Sequence, residues 1–178
     1  MPDPVRAIIG YAPQDGFLFS RTIRENIAYG RSGATAQEIE AAAEAVRLGA
    51  EIAGFNDRFD TVVGERGITL SGGQCQRISL ARALVTEPEL LLLDDTLSSV
   101  DAETEQAILW HLRLYLQGRT AIIASHRISS VERADRILVL DRGRIIEEGS
   151  HRELIAEQGL YARLFERQRL AREIEEAG

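Results

Sequence analysis

The sequence contains no lysine: all 21 of its basic residues are arginine. A phosphate-cradling loop of the form Gly-x-x-x-x-Gly-Lys-Ser/Thr therefore cannot be encoded anywhere in these 178 residues. Cysteine is almost missing as well. Cys75 stands alone, so no internal disulfide can form, and this usage fits a reducing compartment and a structural thiol. No apolar run approaches the roughly 18 residues that span a bilayer, and the first residues lack the pattern of a secretory signal. Positive charge is the minority charge, with 28 acidic residues leaving a net charge of −7. That balance argues against nucleic acid as a partner, because phosphate backbones require a basic face. Internal repeats, low-complexity tracts and Pro/Gly linkers are absent too.

What is present has ordinary globular proportions, 44% hydrophobic and 28% charged, in a chain long enough for one domain with a real core and a small lobe. The chain is organised around Leu70-Ser71-Gly72-Gly73-Gln74. A Ser-Gly-Gly turn that opens a helix directs bare N–H groups and a hydroxyl at one spot, which the helix dipole makes favourable for an anion. Leu90 to Leu93 followed by Asp94 and Asp95 reads as a buried parallel strand delivering carboxylates at its C-terminal edge. Phosphate donors and carboxylates this close together point to nucleotide chemistry.

In chain order, residues 5–12 read as a strand stopped by Pro13, and Gln14-Asp15-Gly16 as a turn. Phe17-Leu18-Phe19 reads either as core or as a docking surface. Thr22 with Glu25, and Thr35 with Glu38, form capping boxes, the second opening a helix over 35–48. A shorter helix before Gly54, a helix over 72–86, a strand over 89–93, a helix over 101–117 opened by Asp101 and a strand over 120–124 follow. A short helix from Ser129, a hairpin around Asp141-Arg142-Gly143 and a helical stretch over 151–175 complete the chain. Strands alternating with helices predict an α/β fold with parallel pairing.

Five segments occur together in a characteristic order: Gln14 after a strand and proline, Leu70 to Gln74, Leu90 to Asp95, Ser98-Ser99-Val100-Asp101, and Ala124-Ser125-His126-Arg127. The chain resembles the nucleotide-binding domain of ATP-binding-cassette (ABC) transporters. Phe17 to Gly30 and Thr61 to Gly67 are similar to the exporter branch, the multidrug or lipid half-transporters. The resemblance implies a P-loop NTPase (RecA-like) parallel-sheet core, incomplete at its N-terminus, carrying an inserted α-helical signature subdomain. Its implied parts are a core of residues 1–16 and 87–160, a helical subdomain over 17–86 and a helical tail over 161–178.

The resemblance also implies roles. Asp94 would hold Mg²⁺ on the ATP phosphates, with Gln14 reaching the metal or the attacking water. Asp95 would be the catalytic carboxylate, and His126 would contact the γ-phosphate. Ser71, Gly72, Gly73 and Gln74 would bind ATP held by a second nucleotide-binding domain packed head to tail, with Ser98 and Asp101 in the loop that meets that partner. Residues 14–30 and 61–67 would face the transmembrane coupling helices. The implied setting is the cytoplasmic face of the cell membrane, in a bacterium the inner membrane, and the implied activity is transport-coupled ATP hydrolysis.

Two departures qualify this. The lysine-bearing phosphate loop is missing, so these residues are expected to be the C-terminal part of a longer half-transporter, binding ATP weakly or not at all alone and leaving core surface bare. The family's catalytic glutamate is Asp95 here, one methylene shorter, as in the degenerate subunit of a heterodimeric exporter. Alternatives are a soluble ABC-type ATPase without a transport role and a mainly ATP-binding regulatory domain.

Overall fold

The computed structural model describes residues 4–64 and 67–177. Residues 1–3, 65, 66 and 178, which fall in the 1–16 part, the 61–67 segment and the 161–178 tail, lie outside the described residues. The chain gathers into two compact units that divide after Ala124.

The first unit opens with a single helical turn, α1 (Pro4–Ala7), before strand β1 (Ile9–Ala12). The expected strand over 5–12 is therefore only half realised. Its partner supplies the reason. β2 (Leu90–Asp94) pairs with β1 in parallel from Ile9↔Leu90 onward, and ahead of that register the Ile8 carbonyl accepts from the Glu89 and Leu90 N–H groups. Between these strands run α2 (Ile23–Ala28), α3 (Ala36–Ala45), α4 (Gly49–Ala53), a 3₁₀ turn at Arg58–Asp60 and the long α5 (Gly72–Leu84). α6 (Ala102–Tyr115) then crosses over to β3 (Thr120–Ala124), which pairs in parallel with β2. The sheet order is β1-β2-β3.

Both predicted capping boxes form: Thr22 Oγ1 accepts from the Glu25 N–H, Thr35 Oγ1 from the Glu38 N–H, and each glutamate returns to the cap N–H. The core joins one sheet face to the helices. Ala12, Leu91 and Leu93 bury against Ile27, Ile78, Leu80, Leu84, Ile108 and Leu112. At Gly10 the strand passes so close to α5 that a Cβ would lie 2.9 Å from the Ala83 carbonyl. The other face is open. Tyr11, Leu92 and Ile122 share one cross-strand row, and Tyr11 and Ile122 are 54% and 57% exposed. Parallel sheets are normally covered on both faces, whereas this face carries exposed apolar side chains.

The second unit begins with α7 (Ile128–Val131), followed by the antiparallel hairpin β4 (Ile137–Asp141) and β5 (Arg144–Gly149). Arg142 and Gly143 both have positive φ, 47° and 74°, the two-residue geometry whose twist suits a hairpin. α8 (His151–Ala156) and α9 (Leu160–Ala177) follow. The helical stretch expected over 151–175 breaks at Gln158, where φ is 54°. Glu147 on β5 then accepts from the N–H groups of Leu160 and Tyr161 and caps α9 from outside. Ile128, Ile137, Leu154 and Tyr161 form this unit's core. No helix among the described residues is long and apolar enough to cross a membrane.

Candidate functional site

Parallel pairing places the C-terminal ends of β1 and β2 at one sheet edge, where α/β folds carry their ligands. Gln14, two residues past β1, brings its Nε2 to 3.5 Å from Asp95 Oδ2. Asp94 closes β2 with its side chain exposed, and the Tyr11 hydroxyl lies 3.5 Å from its Oδ2. The buried Thr96 hydroxyl donates to the Ala12 carbonyl at 2.8 Å, locking the two strand ends together. Asp95 turns the chain with φ of 45° and its N–H donates to the Ala124 carbonyl at 2.8 Å. Aspartate is among the few residues that tolerate this left-handed conformation, which re-aims the chain directly after the strand.

The second cluster surrounds the start of α5. Ser71 is the N-cap: its Oγ accepts from the Gln74 N–H at 3.2 Å, and Gln74 Oε1 accepts from the Ser71 N–H at 2.9 Å. Gln74 Nε2 donates to Glu51 at 2.8 Å, so its side chain braces the helix start from behind. The first-turn N–H groups of Gly72 and Gly73 have no acceptor within the helix. Gly73 is where the Ser98–Asp101 segment crosses; a Cβ would lie 2.8 Å from the Ser99 carbonyl. Asp101 caps α6 by accepting from the Thr104 N–H at 2.9 Å, and that bond holds its carboxyl below the usual range.

Behind the turn, buried Arg77 donates to the carbonyls of Gly73 and Arg47 and pairs with Glu51 at 2.7 Å. Burial alone would raise the Glu51 pKa. The hydrogen bonds from Arg77 and Gln74, with the Arg77 charge, outweigh it and hold the carboxyl low.

In the second unit, His126 is exposed, and its loop is held by Gln168 of α9. Gln168 Nε2 donates to the His126 carbonyl at 2.8 Å while its Oε1 accepts from the Ile128 N–H at 2.9 Å. The tail helix thus braces the loop bearing the histidine.

The donor chemistry can be tested against the implied groups. Among the described residues, no three His, Cys, Asp or Glu side chains are arranged to hold a metal. Asp94 and the Gln14 amide oxygen are the hard oxygen donors Mg²⁺ takes, and Mg²⁺ characteristically uses one or two carboxylates with phosphate oxygens and water. The set fits Mg²⁺ arriving on a nucleotide and does not fit a resident metal. The start of α5 fits a phosphate.

Residues 2–98 match the family model described as ABC transporter. The chain belongs to the ABC transporter family. It is 50% identical over 168 residues to the Probable multidrug resistance ABC transporter ATP-binding/permease protein YheI of Bacillus subtilis, covering 94% of this chain and 29% of that protein. It is 48% identical over 164 residues to an ATM1-type heavy metal exporter of Novosphingobium aromaticivorans, covering 92% of this chain and 27% of that protein. A bacterial Atm1-family ABC exporter solved with ATP bound matches with a TM-score of 0.88 and 48% identity, over 92% of this chain and 29% of the other. The chain thus spans less than a third of the length of these ABC relatives, and its α/β architecture is that of the family's P-loop NTPase core.

Sequence reasoning missed Glu51, Gln76, Arg77 and Gln168 in this ABC chain. Gln76 carried a usable signal: it continues the stripe of Leu80 and Leu84, both buried, so a polar residue stands on a core-facing helix position. Glu51 and Gln168 carried none, because their partners lie far away in sequence.

Proposed function

We propose that this chain is the ATP-handling part of an ABC exporter, working in a pair of nucleotide-binding domains at the cytoplasmic face of a membrane. The observation carrying this reading is the convergence of Gln14, Asp94 and Asp95 at one sheet edge in a member of this family. Asp94, with Gln14, would hold Mg²⁺ on the phosphates, and Asp95 would orient the attacking water, a proton acceptor whose reach sets the rate. His126 would stabilise charge on the transferred phosphoryl group. Ser71, Gly72 and Gly73, backed by Gln74, would offer helix-terminal donors to ATP held by the partner domain, with Ser98 and Asp101 on the adjoining loop. In the parts implied by family resemblance, residues 17–86 would be the signature-bearing helical subdomain.

Support for a membrane partner lies in the docking segments. Residues 17–30 and 61–64 come together through a bridge between Thr22 and Val62. Phe17 and Tyr29 are each 65% exposed there, around Phe19. Leu18 packs on the core instead, so the core reading holds for Leu18, while the exposed Phe17 would serve the docking role.

A second reading, that this site holds ATP more than it hydrolyses it, is favoured by Asp95. A displacement of about 1 Å can cost on the order of 10²-fold in rate. Single-turnover hydrolysis in the assembled exporter, resolved by site, tests this. Asp95→Glu is expected to raise turnover at its own site by up to that factor, and an unchanged rate refutes the slow-site reading. The 178-residue chain alone, lacking the lysine loop, is expected to show no ATP binding in calorimetry at micromolar concentrations.

A further inference from the structure

Gln76 lies outside the groups proposed to meet ATP or Mg²⁺, yet its amide is fully used. It sits one turn into α5 and is 5% exposed. Its Nε2 donates both to the Gln14 backbone carbonyl and to Ser98 Oγ, each at 3.0 Å. Its Oε1 accepts from the Ser99 N–H at 2.9 Å. A primary amide offers two donors and one acceptor oxygen, and here each meets a different group. All three groups belong to the two segments that carry Gln14 and Ser98–Asp101, and the amide itself belongs to the helix that carries the third set.

Backbone packing reinforces the same junction independently. Gly16, just beyond Gln14, backs onto the start of α5 so closely that a Cβ would lie 2.7 Å from the Cys75 carbonyl and 2.8 Å from the Gln76 nitrogen. On the other flank, Gly73 leaves no room beside the Ser99 carbonyl, where a Cβ would lie at 2.8 Å. The helix start is therefore clamped between two loops, with Gln76 bonded into both.

We propose that Gln76 is a positioning residue whose buried amide ties the Gln14 segment, the helix start at Ser71 and the Ser98–Asp101 loop into one moving part. It touches neither nucleotide nor metal. A shift in residues 14–30, where the docking segment begins, would be passed through the Gln14 carbonyl to α5 and through Ser98 and Ser99 to the loop facing the second domain. The proposal rests on the reading that these segments handle ATP.

Gln76→Glu dissects the links. The glutamate keeps an acceptor for the Ser99 N–H, and the Ser98 hydroxyl can rotate to donate to it. The Gln14 carbonyl, however, then faces an oxygen with no hydrogen to share. Gln76→Met keeps the volume and removes all the bonds. In the assembled exporter with Mg-ATP, Gln76→Glu is expected to lower kcat about tenfold, equivalent to about 1.4 kcal/mol or one buried hydrogen bond, with KM for ATP changed by less than about twofold. A defect of folding alone would lower the active fraction without leaving the Ser99 amide protected. Amide hydrogen exchange on the assembled exporter separates the two. Ser99 should stay protected in Gln76→Glu and exchange at least about tenfold faster in Gln76→Met. A wild-type kcat in Gln76→Glu overturns the proposal, as does unchanged Ser99 exchange in Gln76→Met. A wild-type exporter that hydrolyses no ATP defeats the underlying reading instead, and the exchange result then decides on the bracket by itself.

Discussion

Replacing Arg82 by methionine removes a fork of donors from the last turn of α5 while keeping most of the side chain's volume. Arg82 Nε donates to the Asn26 carbonyl at 2.8 Å, Nη1 to the Phe17 carbonyl at 3.0 Å and Nη2 to Asn26 Oδ1 at 3.0 Å. The guanidinium also lies 5.5 Å from the Phe19 ring and 5.9 Å from the Tyr29 ring. Burial lowers the Arg82 pKa, a sign that this charge is held away from water. Asn26 is fully buried and itself bonds the Phe19 N–H and carbonyl, so the arginine anchors the residue that shapes the whole 17–29 loop.

Stranding partly buried acceptors costs about 1–3 kcal/mol each, and each cation–π contact adds about 0.5–1 kcal/mol. Relief from burying a charge offsets part of this. A net loss of about 3 kcal/mol is expected, which at a urea slope of about 2 kcal/mol/M moves the midpoint down by about 1.5 M. Trp110, the single tryptophan, lies in α6 of the first unit and reports its unfolding by fluorescence. Arg82→Lys, one point charge in place of a planar fork, should fall between the two. A midpoint shift for Arg82→Met below about 0.3 M would refute the assignment of Arg82 as the anchor.

Two pH-dependent predictions follow from carboxyl and phenol environments. The Thr35 N–H, with Arg31 and the Thr35 hydroxyl, lowers the Glu38 pKa from 4.5 to about 2. A depressed carboxyl contributes stability above its unfolded value and loses it as pH falls, so Glu38→Gln should flatten acid destabilisation of the first unit between pH 4.5 and about 2 in urea melts. Burial, aided by the negative charge of Glu132, pushes the Tyr161 phenol from 10.0 to about 12. A raised phenol contributes stability below its unfolded value and loses it as pH rises. The second unit should therefore weaken between pH 10 and about 12, and Tyr161→Phe should remove that alkaline loss at the cost of the bond to His151 at 2.8 Å, as followed by far-ultraviolet circular dichroism.

Much of the local structure was legible because its causes lie within a few residues. The boxes at Thr22 and Thr35 and the cap at Asp101 depend on side chains three residues from the N–H they satisfy. The hairpin follows from residues able to take positive φ at 142 and 143. The strand over 120–124 has the bounds its apolar run predicts. The misjudged boundaries have distant causes: β1 begins where Leu90 offers a partner, and α9 begins where Glu147 caps it.

The same division runs through the candidate site. By itself the sequence determined that these 178 residues encode no lysine loop, that two carboxylates end a buried strand, and that a serine caps a helix opened by two glycines. These are statements of composition and short-range geometry, and they sufficed to reach the family. Only the tertiary structure decided that Gln14 meets Asp95, that Gln168 holds the His126 loop, and that Gln76 joins the Gln14 carbonyl to Ser98 and Ser99 across 62 and more than 20 residues of chain. The physical reason is that an amide's partners are set by where parallel strands and a packed helix bring distant backbone groups, and a linear pattern carries no trace of that until the core has formed.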